Sequence, residues 1–417
     1  MGQPSMQAEQ AQYKIWWSNG IFFVSVHIAT LVGLYYYPWY SVPKATLALC
    51  FCAWQLACAS VTIGYHRLYS HRAFRASYSV RLVLSILGAS AFQGSIKWWC
   101  LRHRLHHRFT DDPIHDPYCA TKGLLWSHMG WIFFKPKYER MPLIDHDDLD
   151  NDAVVRFQHK HYILLALASG FVAPVLIGSL WGDAMGSFIW GSLLARVMTW
   201  HCTFFVNSLA HWDGLQPYSD ENTSRTNLII ALLTVGEGNH NFHAFPHDFR
   251  AGPGYFDWDP SKWVILLLHK FGLASGLRQA RQEDIADALV HMQAKHYHLP
   301  LPKYDVSSGD DQEAVRAVYE IWDDERLQEY VEAKKGRCVL VIKGYVVDTT
   351  GYLGEHPGGA ALLRKFAVKF PQDKSTTSDD TCKEATWAFE GGYNQHTRAA
   401  RKQMRELIVA RLSSSFI

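Results

Sequence analysis

A chain of 417 residues is too long for a single hydrophobic core and is expected to divide into two modules. Its 41 Lys and Arg against 39 Asp and Glu leave a formal charge of +2, which lacks the basic surplus a general nucleic-acid binder needs. The 8 cysteines fall singly and form no CxxC pair, excluding a disulfide framework or a thiolate zinc site, whereas 22 histidines and 16 tryptophans point to metal ligation and bilayer interfaces.

The mean hydropathy of −0.12 conceals a strongly segmented chain. Residues 1–14 form a polar tail. From residue 15 to 43 no side chain carries a formal charge, and Trp16, Trp17, Trp39 and Tyr40 flank an apolar run. Residues 45–65 are a second uncharged run. A helix crosses the hydrocarbon with about 20 apolar residues, so both runs are expected to span a membrane. The link through Pro38 and Pro43 is expected to turn at the interface. Residues 82–96 are apolar but short, which suits a helix against the membrane or under the bundle. Residues 162–182 form a third crossing, Gly182 and Asp183 a turn, and residues 184–211 a fourth, interrupted by Arg196. Four crossings put residues 66–161 and everything beyond Trp212 on the side of the N-terminus. Arg67, Arg72, Arg75, Arg81, Lys97, Arg102, Arg104 and Arg108 crowd that side, which marks it as cytosolic.

Histidines gather where the chain emerges there. His66 and His71 follow the second run, and His103, His106 and His107 follow the short apolar segment. Spacings of three and four bring helical side chains to one face, so that trio is expected to point at one location. His211 ends the fourth run with Asn207 one turn earlier, and His240 and His243 lie in Gly236-Glu237-Gly238-Asn239-His240-Asn241-Phe242-His243. Neutral imidazole is a strong iron ligand that is cheap to bury, unlike a carboxylate. Eight histidines are too many for one zinc ion and fit two metals. His27, His159, His161, His291, His296 and His298 read as ordinary hydrogen-bonding residues. His128 is a candidate for supporting a ligand from behind.

This set of spacings resembles the membrane acyl-CoA Δ9 desaturases, and with the C-terminal region it resembles their fungal version. The resemblance implies an all-α membrane fold over residues 15–298, four transmembrane helices under a cytosolic helical cap, in the endoplasmic reticulum membrane with both termini cytosolic. It implies two irons held by His66, His71, His103, His106, His107, His211, His240 and His243, with Asn207 acting through a water. It also implies O2-dependent Δ9 desaturation of stearoyl-CoA or palmitoyl-CoA. The family pattern has one more histidine directly after His243. Here His243-Ala244-Phe245-Pro246 follows, as if that histidine were deleted. His247 is the candidate to compensate. Gln93, Trp98 and Trp99 are candidates for the acyl-chain wall, and Lys135 and Lys137 for the CoA phosphates. A related hydroxylase, a desaturase of other regiospecificity and a catalytically silent homologue are the rival readings.

Residues 299–311 read as a linker and 312–417 as a second module. Helical content is expected over 312–333 and strands over 338–348. Glu355-His356-Pro357-Gly358-Gly359 resembles the axial-ligand motif of cytochrome b5, which implies an α+β haem b domain with His356 as one ligand. His396 is the only later histidine and is expected to be the other. Residues 371–381 read as an exposed polar loop. Two histidine ligands leave no open position, so the haem is expected to pass electrons. The chain has no GxGxxG with a strand context, so a separate NADH–cytochrome b5 reductase is the expected donor.

Overall fold

Long uncharged runs become long helices because, away from water, a continuous helix satisfies its own backbone groups. The computed structural model describes residues 14–300, 319–356, 358–370, 384–393 and 396–413. The tail before residue 14, linker residues 301–311, residues 312–318 and the polar stretch 371–381 lie outside the described residues. Three described helices are long and apolar enough to cross a membrane: Trp17–Tyr36 (α1), Lys44–Ser70 (α2) and Tyr162–Ser179. Between the second and third lie α3 (Tyr78–Ala89) and α4 (Ile96–Arg108). Tyr162–Ser179 is α5. The fourth uncharged run is helical over residues 184–207 (α6), with a π-helical stretch, Phe188–Leu194, inside it. Arg196 in α6 is 1% exposed and faces protein near Ser90, as the cost of a charge in hydrocarbon requires.

The short apolar run is helical only in part. The chain enters α3 at Tyr78, where the Ser77 hydroxyl accepts from the Val80 amide at 3.4 Å, and leaves it at Ala89. The last ten residues of α2, Val61–Ser70, wind as a π-helix in which every residue is buried. That wider turn packs against α3 and α4 around Ile63, Tyr65, Phe74 and Ile96. It also carries His66 to the edge of the core.

The C-terminal unit is built on a four-stranded sheet of order β3-β6-β5-β4, with β1 (Arg75–Ala76) and β2 (Ala274–Ser275) paired separately in the helical unit. The strands are β3 (Ile321–Trp322), β4 (Val339–Ile342), β5 (Tyr345–Asp348) and β6 (Ile408–Leu412). Lys343 and Gly344, both at positive φ, make the two-residue turn between β4 and β5. Val339 and Val341 pack on one face with Trp322 and Leu327, while Leu340 and Ile342 pack on the other with Phe366 and Ile408. Both sheet faces are therefore covered, and the alternation of β4 serves two cores.

Charges join the two units. Helix α7 (Gln282–His296) is acidic in its first turns, and helix α8 (Arg398–Glu406) is basic. Lys402 reaches Asp284 at 2.7 Å and Asp287 at 2.5 Å, Arg281 holds Glu406 at 2.7 Å, and the Arg398 amide donates to Glu221 at 2.6 Å. Gly359, at φ 84°, sits so close to Asp145 that an added Cβ would lie 2.3 Å from the Asp145 Cβ.

Candidate metal centre and haem site

Four separate segments bring the eight candidate histidines together where the spans end, and they form two groups. Ligand nitrogens of His66, His71, His103, His107 and His243 lie within 4.8 Å of one another, as do those of His106, His211 and His240. The trio on α4 does not share one target. His103 and His107, four apart, face the first group, while His106 turns to the second.

In the first group the Nε2 atoms converge. His71 and His103 are 2.9 Å apart, His103 and His107 3.0 Å, His107 and His243 2.9 Å, and His66 and His243 3.2 Å. Burial and then the neighbouring imidazoles push the pKa of His71, His103, His107 and His243 well below the ordinary histidine value. These side chains are neutral, with several nitrogens aimed at a single point. That donor set fits a cation and little else. The Nδ1 of His66 lies 3.3 Å from Glu237, whose other oxygen takes Arg67 at 2.9 Å. Burial opposes the charge on Glu237, but His66 and Arg67 outweigh it and hold the carboxyl well below the carboxylate range. Arg67 also reaches Asp259 and the Phe249 carbonyl, each at 2.9 Å.

The second group is oriented from behind. His106 Nδ1 donates to Asp116 at 2.8 Å. The Thr223 hydroxyl gives its proton to Asp111 at 2.8 Å, so His211 Nδ1 donates to Thr223 Oγ1 at 2.8 Å. Both histidines thus keep an Nε2 lone pair for a metal, and Nε2 of His211 is buried without a partner among the described residues. Burial lowers the His240 pKa to about 3. For His106 burial is outweighed by Asp116, and its pKa is raised.

Local backbone explains these positions. In the glycine-bounded segment before His240, a Cβ on Gly238 would meet the Ala231 amide nitrogen at 1.9 Å, so only glycine lets this turn lie against the helix Leu228–Leu233. The following 3₁₀ turn, His240–Ala244, is pinned by Asn241. Its buried amide accepts from the Tyr218 nitrogen at 2.7 Å and donates to the Ser219 and Ser224 carbonyls. The helical path from Asn207 to His211 breaks at Ser208, whose hydroxyl bonds the Phe204 carbonyl at 2.7 Å. Asn207 is the last residue of α6 and half-buried.

The remaining candidates divide. His247 belongs to neither group: its Nδ1 bonds the His71 carbonyl at 2.8 Å. Trp99 stacks on His103 at 4.8 Å and so backs the metal centre. Trp98, with Arg102 over its ring, lines an open cavity of about 420 Å³ that also takes in Gly94 and Tyr162. Gln93 donates to Thr203 at 2.8 Å, and Lys135 and Lys137 are exposed near the start of α1. His128 bonds Ser208 and His201, each at 2.9 Å, and His201 bonds His27 at 3.0 Å. This chain of imidazoles was not legible from spacing, because His201 belongs to no box. Asp116, Thr223 and Asp259 also escape a search for histidines, since each reveals its role only through a distant partner.

In the C-terminal unit, His356 Nδ1 bonds the Gly359 carbonyl at 3.2 Å, and His396 Nδ1 bonds the Phe389 carbonyl at 2.8 Å. Each therefore presents Nε2, the atom an axial haem ligand uses. Burial lowers the His356 pKa to about 4 and that of His396 in the same direction.

Comparison with known proteins finds a family for each unit. Residues 37–247 match the family Fatty acid desaturase, and residues 323–369 match the Cytochrome b5-like Heme/Steroid binding domain. The chain is 38% identical to Acyl-CoA desaturase 1 of Saccharomyces cerevisiae, over 85% of this chain and 66% of that protein, so it spans just under two thirds of that relative. It is 35% identical to the Probable acyl-CoA desaturase of Schizosaccharomyces pombe over 95% of this chain and 78% of that one. It is 33% identical to human Stearoyl-CoA desaturase 5 over 68% of this chain and 87% of that protein.

Proposed function

Because the chain belongs to the fatty acid desaturase family and carries a C-terminal cytochrome b5-like domain, we propose that it desaturates acyl-CoA at Δ9 in the endoplasmic reticulum membrane. The observation that carries this reading is the pair of buried imidazole groups at the ends of the spans. We assign them two irons, with His66, His71, His103, His107 and His243 around one, and His106, His211 and His240 around the other, Asn207 acting through a water. Iron so held supplies the oxidising power, with O2, that a saturated C–H bond demands and that no side-chain acid or base provides.

The protein's own groups do the rest. Asp116, Thr223 and Glu237 fix imidazole orientation, and the closely packed α2–α4 core keeps bulk water from the centre. The haem unit, with His356 and His396 as ligands, is held by α7 against the helical unit, so electrons arrive at high effective concentration. Four crossings, with α6 as the fourth, keep both units on the cytosolic side, where an NADH–cytochrome b5 reductase supplies electrons. A second reading, an impaired homologue, rests on the histidine of the family pattern that is missing between His243 and Ala244.

The test is incubation of the purified, haem-loaded full chain with reductase, NADH, O2 and stearoyl- or palmitoyl-CoA. Chromatography with mass spectrometry then locates the double bond. A C9–C10 product is expected. A hydroxylated product, or a double bond elsewhere, would overturn the Δ9 assignment.

A further inference from the structure

We infer that the two metal positions of this chain are unequal: a five-histidine position that holds a divalent cation tightly and a three-histidine position that holds one weakly. This rests on the two-metal reading above and concerns how this chain's own histidines divide between the two positions.

His243 decides the division. Its Nε2 lies 2.9 Å from that of His107 and 3.2 Å from that of His66, so it completes the first group. The next residue is Ala244, which has no donor, and the turn therefore contributes only His240 to the second group. The nearest substitute is committed elsewhere. His247 spends its Nδ1 on the His71 carbonyl, and its Nε2 is buried outside both groups. The loss thus falls wholly on the position of His106, His211 and His240.

Three imidazoles still make a site. Asp116 and Thr223 orient two of them, and three histidines with open coordination places are a known way to hold a divalent cation. Fewer ligands nonetheless mean weaker binding. Loss of an outer partner alone costs about 10- to 100-fold, and an absent direct ligand is expected to cost at least as much.

The test uses the full-length, haem-loaded protein in detergent, stripped of non-haem metal and dialysed to equilibrium against Co²⁺. Metal per chain is counted by mass spectrometry at each free concentration. Two ions are expected in two classes whose affinities differ by about 100-fold or more. His211→Ala should remove the weak class alone, and His71→Ala or His107→Ala should weaken the tight class alone, with haem absorbance and melting temperature reporting the fold. A histidine inserted between His243 and Ala244 should narrow the gap. Two ions in one class would overturn the inequality while sparing the two-metal reading, and an insertion that leaves the gap unchanged would overturn its origin in the turn after His243. No bound Co²⁺ at all would overturn both.

Discussion

Asp116 accepts the Nδ1 proton of His106 at 2.8 Å, and both side chains are buried. The same carboxylate takes the amides of Asp111 and Tyr118 at 2.9 Å, so it is rigidly placed before any metal arrives. Asp116→Asn keeps the shape but removes the charge that fixes the tautomer. Metal affinity at the three-histidine position should fall about 10- to 100-fold, with the five-histidine position unchanged, measured by the same dialysis.

Arg67 lies between Glu237 and Asp259, and the side chains of Arg67 and Asp259 are 3% and 1% exposed. Asp259→Ala leaves the guanidinium half-partnered in a buried place. It also strips the cap from the Pro260–Lys270 helix, whose Lys262 amide donates to Asp259. A loss of about 3–5 kcal/mol is expected from breaking the buried pair. Thermal unfolding in detergent should show it as a clear drop in melting temperature.

Asp148 reports on acid. Burial works to raise its pKa from 3.8, but Arg104 and Arg72 prevail and bring it down to about 2. The carboxylate is thus favoured in the folded protein. Its contribution to stability is complete above about pH 4 and is lost as pH falls through about 2. Asp148→Asn should lower the melting temperature at neutral pH and flatten its acid dependence in that window relative to the parent.

Lys402 sits against two carboxylates, Asp284 and Asp287. Lys402→Glu turns both contacts into repulsions, and salt should weaken the parental contact through screening. Chemical cross-linking between α7 and α8 should drop in the variant. Adding Asp284→Lys and Asp287→Lys should restore it.

What could be read from the chain alone followed from regular spacing. Uncharged length located α1, α2 and α5, and the spacing of histidines near the ends of the runs located their groups, because each signal is contained in a continuous segment. The division of the α4 trio was not so contained. It depends on where His211 and His240 arrive, which only the packing of distant segments decides. The place of Trp99 depends on packing in the same way. Its stack on His103 lies within one helix turn, but whether that face meets substrate or metal is set by α2. Asp116 and Thr223 carry no motif, and their meaning comes entirely from the imidazoles they touch.

The segment around His243 and Ala244 lies between two fixed points, Asn241 and Asp248. Asp248 is itself held by Arg250 and by the Ala280 amide. A change of one residue between such anchors alters how many imidazoles the loop delivers without disturbing either attachment or the core beneath. Coordination number in this architecture is therefore open to change by insertion and deletion. A lineage can gain or lose a metal ligand here as a change in loop length, leaving the rest of the centre to be inherited intact.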